Sequence, residues 1–141
     1  MKILLAVDSS ETSEKAVEAV ARQTWPEGSE VRIISVVDLS FFPIPETGDF
    51  DQWEQGGREL MQAAVNQAAE RIRASQPNPP EISQLVINGH AKQEILDEAE
   101  RWGADLIVVG SHGYRGLKRF VLGSVSQAIV SHAHCSVMVV R

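Results

Sequence analysis

Gly110, Gly113 and Gly123, with Ser124 and Ser126 close behind the last of them, are spaced in a way that suits the holding of a phosphate. Glycine lets a backbone come up to an anion with no Cβ in the way. A helix that starts just after such a loop turns unpaired N–H groups, and the positive end of its dipole, toward the same point. The hydroxyls of Ser124 and Ser126 add donors, and Arg115, Lys118 and Arg119 add positive charge. A plainer reading stands beside this one, in which Gly110 and Gly113 only turn the chain and Ser124 only caps a helix. Asp8 is the second residue with chemistry to offer. A carboxylate at the end of a central strand can hold ribose hydroxyls or the water around Mg²⁺, and it can equally cap the helix that follows.

Other chemistries fit less well. The run G-x-x-x-x-G-K-[S/T] of the P-loop ATPases is missing. A phosphate-accepting receiver domain needs an acidic pair at its first strand and an aspartate after its third. Here Asp8 is followed by serines, and the third apolar run ends Ile87-Asn88-Gly89. His132-Ala133-His134-Cys135 offers two imidazoles at i and i+2 with no second ligand pair, which suits a surface turn better than zinc. His90 and His112 stand alone; His112 sits in the glycine-rich loop, where it could donate to a ligand, but a solvated loop residue is the expected reading. The lone Cys135 reads as a small core residue. Asp8 and Asp38 are the carboxylates that could position a water for ATP hydrolysis, and neither lies in the glycine-rich loop, so turnover is expected to be slow or absent.

The elements that must position these residues follow from periodicity. Five apolar runs rich in β-branched residues, 3–7, 31–37, 82–87, 106–109 and 137–140, alternate with segments of helical period. The helical stripes are Ala16, Val17, Val20 and Ala21, with Ser9 and Ser10 as caps; Leu60, Met61, Ala64, Val65, Ala68 and Ile72; Ile95, Leu96, Ala99 and Trp102, closed by Gly103; and Val125, Ala128 and Ile129. The third run mixes polar and apolar residues and is expected at an edge. The stretch 39–57, with its prolines, aromatics and the Gly56-Gly57 pair, is expected to be a long loop between the second strand and second helix. The pattern predicts α/β architecture: a doubly wound, five-stranded parallel sheet with helices on both faces, in one domain spanning 1–141.

The chain has 141 residues and a net charge of −6, which disfavours nucleic acid and anionic membranes as partners. The charge is uneven. Up to Asp105 nine basic residues stand against nineteen acidic ones, and beyond it there are four basic residues and no acid. An anionic ligand is therefore expected near the last third. No apolar run is long enough for a membrane helix, and the acid at position 8 comes too early for a signal peptide, so a cytoplasmic protein is expected.

The spacing G-x-x-G, nine residues, then G-[S/T], in a strand-to-helix context, resembles the ATP-binding signature of the universal stress protein family. So do the opening Ile-Leu-Leu-Ala-Val-Asp with Ser-Ser after it, Val36-Val37-Asp38, and the ending Ser-His-Ala-His-Cys-Ser-Val-Met-Val-Val-Arg. The resemblance implies a strand order 3-2-1-4-5 and a bound adenine nucleotide, ATP, ADP or AMP, with or without Mg²⁺. Ala6, Val7, Asp8, Val36 and Val109 would line the base and sugar. Gly110, Gly113, Gly123, Ser124, Val125 and Ser126 would hold the phosphates. Ser126 stands where some relatives carry threonine, and Ser136 where many carry proline. In that order the fifth strand, Val137, Met138, Val139 and Val140, is an edge, and an uncovered apolar edge leads to the expectation of a symmetric homodimer through it. The role implied is stress sensing or signalling. An interaction module with a vestigial pocket, or a weak ATPase, is the alternative.

Overall fold

The computed structural model describes residues 1–41, 46, 48–112 and 122–141. Among them, strands and helices alternate: β1 (Lys2–Ala6), α1 (Glu11–Arg22), β2 (Glu30–Val37), α2 (Phe50–Ser75), β3 (Glu81–Asn88), α3 (Ala91–Trp102), β4 (Leu106–Gly110), α4 (Ser124–His132) and β5 (Ser136–Val140). A 3-10 turn covers Leu39–Phe41. The strands pair in parallel in the order β3-β2-β1-β4-β5, as expected.

Successive side chains of a strand point to opposite faces, so the central strand β1 feeds two cores. Ile3 and Leu5, with Val7 just beyond them, pack under α1 and α2 against Ala16, Val20, Val65 and Ile72. Leu4 and Ala6 pack under α3 and α4 against Ile95, Ala99 and Ile129. The helices thus cover both faces, and β1 and β4 read as unbroken apolar runs because both of their sides are buried. Strand β3 lies at one edge with Glu81, Ser83, Gln84 and Asn88 exposed, as its mixed composition predicts.

Local signals explain several boundaries. Ser10 caps α1, its hydroxyl accepting from the Ser13 amide at 3.3 Å, and the helix stops at Arg22, well before Pro26. Gly103 closes α3 in the left-handed conformation, φ 74°, where a Cβ would be strained.

Of the stretch 39–57, residues 42–45 and 47 lie outside the described residues, and the part from Asp49 on departs from expectation. Helix α2 begins at Phe50, capped by the Asp49 carboxylate, which accepts from the Asp51 amide at 2.9 Å. The Gly56-Gly57 pair therefore lies inside a 26-residue helix instead of ending a loop. Two glycines cost a helix about 1 kcal/mol each. Here burial offsets that cost, because Gly57 lies on the buried face that continues through Met61, Val65, Ala68, Ala69 and Ile72. Leu60, expected in the core stripe, is 37% exposed.

Candidate functional site

The sheet order reverses between β1 and β4, and α1, which follows β1, packs on one face of the sheet and α4, which follows β4 in sequence, on the other. A crevice at the carboxyl ends is the usual place for a ligand in such a sheet. The residues singled out in the sequence fall around it. Ala6 and Val109 are 6% exposed and, with half-buried Val36 one strand over, pack on the α3 and α4 side. Val7 faces the α1 and α2 side. Gly113 lies outside the described residues, as do Arg115, Lys118 and Arg119.

Asp8 is half-buried and organises the exit from β1. Its amide donates to the Ser13 hydroxyl at 2.9 Å, and its Oδ1 accepts from the Ser10 amide at 2.8 Å. Its Oδ2 has no partner among the described residues. Beside that turn a cleft of about 490 Å³ opens between α1 and α2, walled by Val7, Asp8, Val17, Leu60 and Ala64.

Asp38 is differently employed. It is 7% exposed; its Oδ1 accepts from the amide and hydroxyl of Ser40, and its Oδ2 from the Ala91 amide at 3.0 Å. Ala91 is the first residue of α3, and His90 before it supplies no cap bond. The carboxylate from the end of β2 thus caps α3 across the sheet end. Both its oxygens are committed, which leaves Asp8 alone of the two acids expected to meet a water.

Gly110 ends β4 directly beneath the first turn of α1. A Cβ there would lie 2.6 Å from the Thr12 hydroxyl, 2.7 Å from the Thr12 carbonyl carbon and 2.9 Å from the Ser13 amide nitrogen. The next two residues are fastened on three sides. The Ser111 amide donates to the Val140 carbonyl at the end of β5 at 2.7 Å, and the Ser111 carbonyl accepts from the Gly123 amide at 2.7 Å and the Ser126 hydroxyl at 2.9 Å. The Thr12 hydroxyl donates to the His112 carbonyl and accepts from the His112 amide at 3.2 Å, and the Ser10 hydroxyl reaches the same carbonyl at 3.3 Å.

His112 is therefore not the solvated loop residue expected. Its Nδ1 lies 2.9 Å from the Ser111 hydroxyl, and its Nε2 is buried with no partner among the described residues. Sequence reading missed Thr12 and Ser111 altogether. A threonine in a helix's first turn carries no signal of what that turn will land on.

Helix α4 starts with Gly123 in the cap position, φ −63° and ψ 162°, so Ser124 is its first residue and not its cap. Ser124 is exposed and Val125 half-buried. The amides of Ser124, Val125 and Ser126 have no intrahelical acceptor, as in any first turn. Ser126 is 1% exposed, and its hydroxyl is shared between the Ser111 and Gly123 carbonyls, so it closes the loop on itself. No group of three metal-ligating side chains occurs among the described residues, and His132 and His134 are both exposed. No described helix is long and apolar enough to cross a membrane.

The comparisons bear on the family and the fold. The model of the universal stress protein family matches residues 1–141. A universal stress protein of Methanocaldococcus jannaschii, MJ0531, is 33% identical over 142 residues, covering 99% of this chain and 81% of its own. Among solved structures, the protein MJ0577 superposes with a TM-score of 0.77 at 28% identity, over 99% of this chain and 94% of its own. A family member from Arabidopsis thaliana with AMP bound superposes with a TM-score of 0.70 at 22% identity, over 99% and 90% of the two chains. A universal stress protein in complex with cAMP does so with 0.72 at 20%, over 100% and 96%. This chain, by its whole-length match and its fold, belongs to the universal stress protein family.

Proposed function

We propose that the crevice between the ends of β1 and β4 binds an adenine nucleotide, with Ala6, Val7, Asp8, Val36 and Val109 toward the base and sugar and the segment from Gly110 to Ser126 toward the phosphates. The observation that carries this reading is that two features lie at the carboxyl ends of β1 and β4: the first-turn amides of α4, tied to the end of β4 through Ser111, and an Asp8 oxygen with no partner among the described residues. Two relatives of the same fold hold AMP and cAMP, and a third, from Archaeoglobus fulgidus, holds dAMP. The adenine, sugar and first phosphate that these ligands share with ATP are the parts this reading needs.

The bound nucleotide is turned over slowly or not at all. Hydrolysis needs a group to position water, and Asp38 is spent on the α3 cap. Mg²⁺ fits this site only as an ion held mainly by phosphate oxygens and water, with Asp8 as the single carboxylate at hand. Such a protein reports nucleotide state as a sensor or signalling module. The partner surface is a second copy of the chain. Strand β5 is paired on one side only, and Val130 on the preceding helix is 50% exposed.

The test is titration calorimetry of nucleotide-free protein with ATP, ADP and AMP, alongside Gly123→Val. The φ of Gly123 is negative, so valine fits the backbone dihedrals and the fold is expected to persist, while on this reading its side chain would crowd the phosphate. Binding in the wild type and its loss in Gly123→Val are expected. No heat up to millimolar nucleotide overturns the reading in favour of a vestigial pocket. Sedimentation equilibrium at micromolar concentration should give a dimer, and a monomer there removes the β5 interface.

A further inference from the structure

We infer that Thr12 is the positioning residue of the phosphate segment: its hydroxyl, standing on α1, fixes the backbone of His112 and so the direction in which the chain leaves β4. The inference rests on the nucleotide reading for its ligand, but its geometry is independent of it. One hydroxyl meets both backbone groups of one residue a hundred positions away, donating to the His112 carbonyl and accepting from its amide. A hydroxyl has one hydrogen and lone pairs to spare, so this two-way contact uses what it has. Gly110 completes the joint from the other side, since the Thr12 carbonyl carbon would lie 2.7 Å from any Cβ there.

Thr12 is separable from the other ties. The Val140 and Gly123 contacts to Ser111 are backbone to backbone, Ser126 belongs to the segment itself, and Ser10 is already committed to capping α1. Thr12 is half-buried and has no cap duty. The joint also fixes the ring beyond it. With its backbone held, His112 sets Nδ1 against the Ser111 hydroxyl and keeps Nε2 buried without a described partner, a polar atom of the kind that a ligand satisfies. Local order before binding is what Thr12 contributes, because a backbone already placed at His112 gives up less entropy when a phosphate arrives.

The experiment compares wild type with Thr12→Val, which keeps the shape and removes the hydroxyl, and with Thr12→Ser, which keeps the hydroxyl. In nucleotide-free protein, amide exchange at His112 should be slow in wild type and in Thr12→Ser, and at least about tenfold faster in Thr12→Val. Equal exchange in all three overturns the inference, whether or not any nucleotide binds. Calorimetry then reads the ligand. Thr12→Val should bind ATP about tenfold more weakly, equivalent to ~1.4 kcal/mol, with adenosine affinity within about twofold of wild type and Thr12→Ser restored. Equal losses for ATP and adenosine, or a Thr12→Ser that behaves like Thr12→Val, reduce Thr12 to a packing residue. A wild type that binds neither compound while His112 exchange still responds to Thr12 removes the nucleotide reading and leaves the joint standing.

Discussion

At the amino end of the sheet, Glu98 is 3% exposed; its Oε1 lies 2.5 Å from Arg32 and its Oε2 2.6 Å from Arg101. Arg32 stacks over Trp102 at 4.5 Å, Lys2 lies 5.4 Å from the same ring, and the Lys2 amide donates to Asp105 at 2.7 Å. At the carboxyl end of β4 the ties are backbone amides, carbonyls and small hydroxyls, those of Ser10, Thr12, Ser111 and Ser126, while the Asp38 carboxylate caps α3 from the end of β2. Long charged side chains close one end, where both oxygens of the buried Glu98 are paired. Short neutral ones fasten the end of β4, and among the described residues Asp8 Oδ2 and His112 Nε2 have no partner and the first amides of α4 have no intrahelical acceptor. The difference teaches where each end's contacts go: at the amino end they hold helix α3 to the sheet, and at the carboxyl end of β4 they fix the backbone around polar atoms that the described protein atoms leave without partners.

The sharpest way to break this comparison is to disturb the amino end and look for an effect at the other. Arg32→Ala removes the partner of a buried carboxylate and uncovers Trp102. With Arg101 remaining and Arg32 itself 28% exposed, the loss should be about 3 kcal/mol, at the low end for a broken buried pair. Urea unfolding measures it, and nucleotide affinity measured below the transition should not change. An affinity that falls with stability would mean the ends are not separate. Gly110→Ala tests the opposite end. The new methyl meets the backbone of Thr12 and Ser13, which cannot swing away as a flexible side chain could, so α1 must shift. A cost of about 2 kcal/mol is expected, within the usual range for overpacking, and here nucleotide affinity should fall with it.

Most of the fold was legible because periodicity is a local property. The runs 3–7 and 106–109 read as buried strands and are; Gly103 read as a helix stop and is one. The Gly56-Gly57 pair misled, since a residue's propensity says nothing of the 26-residue helix that tertiary packing sustains through it. The site was half legible. The spacing of Gly110, Gly123 and Ser124 marked the strand-to-helix passage, and Gly110 does stand where a Cβ has no room. But the atoms it would meet belong to α1, a contact made by the crossover and not by neighbours in sequence. Thr12 on His112 and Asp38 on Ala91 were hidden for the same reason, being pairs separated by 100 and 53 positions.

Those hidden contacts make the two acids at the carboxyl end a finer test. Asp38→Ala removes the cap of α3 and should cost about 1 kcal/mol in stability, as helix caps do, with nucleotide affinity kept. Asp8→Ala should reverse the pattern, weakening nucleotide binding more than it lowers the unfolding midpoint. If both variants lose affinity alike, Asp38 is part of the site and its capping role is incidental.

The smallest effect belongs to Cys135, beside the open amino-end cavity formed with Gly103, Ala104, Asp105, His134 and Ser136. Burial pushes its thiol pKa up, and the Asp105 carboxylate adds to that by repelling a thiolate. An acid whose pKa is raised on folding contributes stability that is whole below its unfolded value and fades as pH rises through the folded one, so the contribution is present at neutral pH and shrinks under alkaline conditions. The nucleophile is the thiolate, so iodoacetamide at pH 8 should alkylate Cys135 in the native protein more slowly than a free cysteine peptide. Asp105→Asn keeps an oxygen for the Lys2 amide and removes the charge, and should speed the reaction modestly, because burial is the larger cause. Mass spectrometry of timed samples reads the rates. Alkylation as fast as the peptide's would mean that the amino end does hold a reactive group in reserve, and the contrast between the two ends of the sheet would lose one of its sides.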